Sequence, residues 1–329
     1  MKNLILISAL SIFTFSKNNN ELIKTENGEK LSIDFDSINP YITCWGDSLT
    51  RGGGWTTQLE DLSGLTVYNG GTGGEDSRTI LARQGGDFMI VDNLTIPGEV
   101  KPVLIASRNL DGGITTALGH KVTPLLQGGS HFNPCFIGDV KGILEWTGSD
   151  HSDLTGVWQF TRLEKGVDIL IDKPTPLRTD FDLNKNKPYL QVIFMGQNGG
   201  YTDLSELIIQ HKKIIKHSKA QNTIVLGLSS GTFKQRADYE NTMRSEFGIN
   251  FISLREYLST PIYALDNSTI LSCYGLQDAG LIPTQKDLED IALGKVPMQL
   301  LSDSVHYTNS TKIIIGNLIY KKCKELNIF

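Results

Sequence analysis

Apolar and polar positions fall into blocks along the chain. Residues 41–45 (YITCW) are a short apolar run with turn signals on both sides, the pattern of a buried strand. Gly52, Gly53 and Gly54 mark a loop, and residues 55–62 carry helical spacing. Residues 65–68 (LTVY) read as a second strand running into 69–74 (NGGTGG), and a helix starts near Glu75 with Asp76 and Ser77 as cap and first turn. From 91 to 187 the rhythm changes. Short β-like runs at 103–106, 137–146, 156–163 and 167–172 are broken by Gly and Pro, and no stretch keeps helical periodicity for three turns. The first rhythm returns with strands at 189–195 (YLQVIFM), 223–228 (TIVLGL) and 250–254, separated by helices at 204–217 and 234–247. Residues 309–326 close the chain as an amphipathic helix with Ile313, Ile314, Leu318, Ile319 and Cys323 on one side.

Strand, Gly-rich loop and helix in repetition predict a parallel sheet. The chain divides accordingly into a leader (1–17), a polar linker (18–39), an α/β domain built from 40–90 and 188–329, and a β-rich insertion at 91–187.

Four blocks carry residues suited to one chemistry. Gly46-Asp47-Ser48-Leu49-Thr50 follows the first strand directly, where sheet-end loops of α/β proteins place their ligands. Residues 69–77 include Gly74, Gly196-Gln197-Asn198 ends the strand 189–195, and Asp303-Ser304-Val305-His306 precedes the last helix. Ester cleavage needs a nucleophile, a base and donors aimed at the developing oxyanion. Ser48 in a loop after a strand exposes its hydroxyl, His306 can take its proton, and Asp303 three residues earlier can fix the ring.

In order and content these blocks resemble the SGNH (GDSL) hydrolase superfamily. The resemblance covers 40–90 and 188–329 and not the insertion. It implies a three-layer α/β/α sandwich with a parallel sheet, here carrying the β-rich insertion as a subdomain. It also implies a serine esterase or acylhydrolase working through an acyl-enzyme without metal or cofactor. Ser48, Asp303 and His306 are then catalytic, and the oxyanion hole is made by the N–H groups of Ser48 and Gly74 and the amide of Asn198. One departure stands out: the third block usually runs G-x-N-D, and Gly199 replaces the acid, which changes loop geometry rather than chemistry. Arg51 and Trp55 beside the nucleophile are candidate substrate contacts. The expected substrate is a short acyl ester, acetyl on a carbohydrate. A lipase or thioesterase is the alternative on this scaffold, and a glycan-binding or adhesin protein that uses its insertion is the non-enzymatic one.

Other patterns compete less well. Gly227-Leu228-Ser229-Ser230-Gly231 matches the nucleophile elbow G-x-S-x-G, but that reading leaves the other blocks unexplained. The run 70–74 fits neither phosphate-loop motif, since no Lys follows. His120, His131, His151, His211 and His217 lack ligand spacing, so no metal is expected. Trp146 and Trp158 read as core of the insertion, with sugar stacking as the alternative. Arg78 and Arg83 read as a solvated helix face.

Composition refines this only in places. The chain has 329 residues, net charge -5 and 39% hydrophobic residues, an ordinary globular balance that argues against nucleic acid as main partner. Of its 33 glycines, 21 lie between 46 and 156, where tight turns are needed. Four scattered cysteines read as buried free thiols. Residues 1–17 begin with Met-Lys and an uncharged apolar run through Phe15, the length of a signal-peptide core and too short to span a bilayer. Export is therefore expected, with a buried or interfacial N-terminal segment of a cytoplasmic protein as the alternative, and with no integral membrane segment in the mature chain.

Overall fold

The computed structural model describes residues 22–24, 30–32, 40–128 and 131–329. The leader at 1–17, and with it the expected export signal, lies outside them. An antiparallel pair, Leu22–Lys24 with Lys30–Ser32, belongs to a first unit that ends at Pro40. Everything from Tyr41 onward forms the second.

Two sheets organise that second unit. The first has five parallel strands in the order Phe251–Ile252, Asn222–Leu226, Leu190–Phe194, Tyr41–Gly46, Thr66–Gly71. Its central strand Leu190–Phe194 is buried throughout, as expected of a strand covered on both faces. The second sheet has eight antiparallel strands in the order Val103–Ser107, Val157–Arg162, Val140–Trp146, Cys135–Ile137, Thr175–Thr179, Met89–Val91, Ile114–Thr116, Lys121–Val122.

This architecture corrects the expected three-layer α/β/α sandwich. The antiparallel sheet outnumbers the parallel one and closes its own apolar cluster around Ile96, Phe132, Leu144, Trp158, Phe160 and Leu177. The chain is a mixed α and β protein rather than a parallel-sheet sandwich with an appendage. The physical reason lies in long-range pairing. The local runs at 91–187 announce strands, but which strands join, and into how large a sheet, is decided by contacts far apart in sequence.

Around the parallel sheet a separate cluster gathers Ile42, Trp45, Val192, Ile193, Ile224, Val225, Leu258 and Ile315. The helices Trp55–Ser63 and Asn309–Glu325 meet so closely that a Cβ on Gly316 would lie 2.6 Å from Gln58 Cβ. All four cysteines are free and buried. Among the described residues no helix is long and apolar enough to cross a membrane.

The strand order reverses between Leu190–Phe194 and Tyr41–Gly46: sequence neighbours run outward from that seam in both directions. At such a switch point the loops leaving the carboxyl ends part and open a crevice. Both loops are ones the sequence singled out.

Candidate active site

The loop after Tyr41–Gly46 turns sharply because Gly46 is a glycine. A Cβ there would lie 2.2 Å from Thr50 Oγ1 and 2.3 Å from the Phe194 carbonyl oxygen, so no other residue fits. Asp47 then caps the four-residue helix Ser48–Arg51, its Oδ1 accepting from the Leu49 N–H at 2.9 Å. Ser48 is the first residue of that helix and stays half-buried at its mouth.

His306 arrives from the other end of the chain. Its loop is pinned by the Leu301–Tyr307 bridge and by the Ser302 N–H, which donates to the His306 carbonyl at 2.8 Å. His306 Nε2 lies 2.8 Å from Ser48 Oγ, and Nδ1 lies 2.7 Å from Asp303 Oδ2. Asp303 Oδ1 accepts the backbone N–H groups of Val305 and His306, both at 2.8 Å. Those bonds, with the one to the imidazole, hold the Asp303 carboxyl down to about 2. An ionised Asp303 keeps the proton on Nδ1, so Nε2 is free to accept from the serine hydroxyl. The structure thus brings Ser48, His306 and Asp303 together in one hydrogen-bonded chain.

Asn198 follows the central strand. Its Nδ2 donates to the Glu75 carbonyl at 3.1 Å, which leaves its second N–H available. Gly199, at φ +75°, turns the next carbonyl back to accept from Ser77 N and Oγ at 3.0 and 2.9 Å. A glycine suits that left-handed turn far better than an acidic residue would. Gly74 is exposed at φ +73°, and a Cβ there would lie 2.3 Å from Gln127 Cδ, a side chain of the insertion. Among the described residues the N–H groups of Ser48, Gly73 and Gly74 have no partner.

Beneath this loop sits an ion pair that the sequence did not announce. Arg83, expected on a solvated face, is 1% exposed, and its Nε and Nη2 donate to the Glu75 carboxylate at 2.8 to 3.2 Å. Nη2 also donates to the Gly70 carbonyl at 2.7 Å, so one guanidinium ties both ends of the loop 70–75. Burial pushes Glu75 up, and Arg83 opposes that. The two residues stand eight apart, one before and one at the far end of the helix Ser77–Gln84, outside any i,i+3 or i,i+4 pairing. Arg78, by contrast, is partly exposed and pairs with Glu206 at 2.6 Å. Asp47 is the other residue whose role the motif concealed. Its carboxyl is wholly buried with Oδ2 unpartnered, and burial raises it to about 6 against the pull of the Leu49 N–H and His306.

Other expectations meet the structure differently. Trp55 is not at the surface: it is fully buried, its indole N–H donating to the Leu49 carbonyl at 2.9 Å, because the apolar ring packs under the helix Ser48–Arg51. Arg51 is exposed, with Nη1 donating to the Gln127 carbonyl at 3.3 Å. Ser229 is buried and its Oγ accepts from the Tyr307 hydroxyl, while His306 Nε2 is engaged by Ser48. Trp158 is core, its indole N–H on the Pro124 carbonyl at 2.8 Å, with the half-buried Trp146 ring 4.5 Å away. Among the described residues no group of three or more His, Cys, Asp or Glu is placed to hold a metal ion.

No protein-family model matches the chain, and no curated protein matches it either.

Proposed function

We propose that this protein is a serine hydrolase that cleaves carboxylic esters through an acyl-enzyme. The observation that carries the reading is the continuous relay from Ser48 Oγ through His306 to Asp303, with both links at 2.7 to 2.8 Å. Ser48 Oγ attacks the ester carbonyl while Nε2 takes its proton, and the carbonyl oxygen becomes the oxyanion. The N–H groups of Ser48 and Gly74 and the second N–H of Asn198 are the donors that receive this charge. His306 then returns the proton to the departing alkoxide, leaving the acyl group on Ser48. A water activated at Nε2 repeats the sequence and releases the acid. Asp303 stays ionised throughout, and the imidazolium formed at each step is stabilised by it. The four sequence blocks that resemble the SGNH hydrolases support the same assignment.

The rim favours a polar substrate. Arg51, Gln127, Asn198 and Asp303, polar residues of the candidate site, are all exposed. This supports a short acyl group, acetyl in the first instance, on a polar alcohol such as a carbohydrate, over a fatty ester.

The test compares wild type, Ser48→Ala and Ser229→Ala on a chromogenic acetate ester. Only Ser48→Ala should lose turnover. Loss in Ser229→Ala alone moves the nucleophile to the other loop, and an inactive wild type on short and long esters alike removes the hydrolase reading.

A further inference from the structure

The open side of the nucleophile is bounded by a cation from its own helix and a loop from the insertion. Arg51 lies three residues after Ser48, and the two side chains converge. A point one bond beyond Gly73 Cα is 3.4 Å from Arg51 Nη1 and 4.0 Å from Ser48 Cβ. That point is empty because residue 73 is a glycine. Arg51 is exposed and, among the described residues, has no carboxylate partner within ion-pair distance; Nη1 donates only to the Gln127 carbonyl. A guanidinium has five N–H donors in a planar fork, and most of these remain unused here. Gln127 holds the fork at the crevice instead of letting it sweep through solvent. The neighbouring carboxylates are already committed: Glu75 to Arg83, Asp303 to His306. His131, at the same edge, is pushed down to about 4 by burial and by the facing cations Arg83 and Arg51, so it stays neutral and does not compete for an anion.

We infer that the natural ester carries an anionic group, a carboxylate, sulfate or phosphate, close to the scissile bond, and that Arg51 recognises it at the edge of the insertion. This rests on the hydrolase reading above and adds the charge class of the substrate. An acidic sugar ester and a dicarboxylic half-ester would both present such a group, the first on the alcohol and the second on the acyl side.

Three aryl esters separate the cases: a neutral aryl acetate, the matching half-ester of succinate with its free carboxylate on the acyl side, and the acetate of a hydroxybenzoate with its carboxylate on the alcohol side. The readout is the ratio of kcat/KM for each anionic ester to that for the neutral one, within each variant, so that any loss of active protein cancels. Wild type should prefer one anionic ester by about five- to tenfold, the scale of a single charge contact at a solvated rim. The preference should shrink as salt rises toward 1 M. Arg51→Gln should bring the ratio close to one, and Arg51→Lys should retain part of it. A wild-type ratio of one or below, or a ratio untouched by Arg51→Gln, overturns the inference while leaving the hydrolase reading standing. No turnover of any of the three esters overturns both.

Discussion

The buried pair under the crevice offers the sharpest physical test. Arg83→Met replaces the guanidinium with a side chain of comparable reach that neither donates nor carries charge. In the folded protein the two side chains are 0% and 4% exposed, so water cannot take over. Stranding one member of such a pair costs about 3–5 kcal/mol, because the remaining charge sits in a low-dielectric interior. Against a total stability of roughly 5–15 kcal/mol, the variant should fold but melt early. The cost should also depend on pH. Burial already raises the Glu75 carboxyl and Arg83 opposes the rise, so removing Arg83 drives it further up. A folded state that holds its proton more tightly than the unfolded chain loses stability as pH rises through its carboxyl range. Urea unfolding at pH 8 and pH 5 should therefore show the larger deficit at pH 8. The double variant Glu75→Leu/Arg83→Met should recover much of the loss, since an apolar pair leaves no stranded charge. A deficit below about 1 kcal/mol, equal at both pH values, would mean that the pair is hydrated in solution and that the argument from burial fails.

Three further outcomes follow from the site. Asn198→Ala should lower kcat by about 10²–10³-fold with little change in KM, since its amide faces charge that exists only in the transition state; steady-state kinetics check this, and an unchanged kcat removes Asn198 from the oxyanion hole. Asp47→Asn keeps an acceptor for the Leu49 N–H but removes the ionisation raised from 3.8 to about 6. Wild type should therefore lose up to about 3 kcal/mol between pH 4 and 7 that the variant keeps, read from unfolding free energies at the two pH values. Ser229→Ala and Tyr307→Phe should each cost about 1 kcal/mol, and the double variant less than their sum because they share one hydrogen bond, as a double-mutant cycle in urea would show.

The candidate relay was legible because it is local in two of its three members. Asp303 and His306 share one turn, and Ser48 sits directly after a strand whose apolar run is unmistakable. The parallel strands at 41–45 and 189–195 fall where Tyr41–Gly46 and Leu190–Phe194 lie. What local pattern could not carry was partnership at a distance. The run 137–146 is two strands, Cys135–Ile137 and Val140–Trp146, folded back across Gly138 and Asp139. Arg83 looked solvated because its partner Glu75 lies before the other end of the helix Ser77–Gln84. In the last helix Ile313 is 46% exposed while Ile315 is buried, a shift that three consecutive isoleucines make invisible to periodicity. Trp55 lies near Ser48 in sequence and beneath the helix Ser48–Arg51 in space.

The segment from Val91 to Thr175 begins and ends on paired neighbours in the antiparallel sheet. Meanwhile Ile42 pairs with Leu190 in the parallel sheet, so two adjacent central strands are joined by a very long excursion of chain. The Val91–Thr175 pairing clips that excursion at its base, and the remaining chain to be closed is less than half as long. Each halving of a loop saves only about 0.6 kcal/mol of closure entropy. Changes of length between Val91 and Thr175 therefore leave unchanged the span that the Ile42–Leu190 pairing must close.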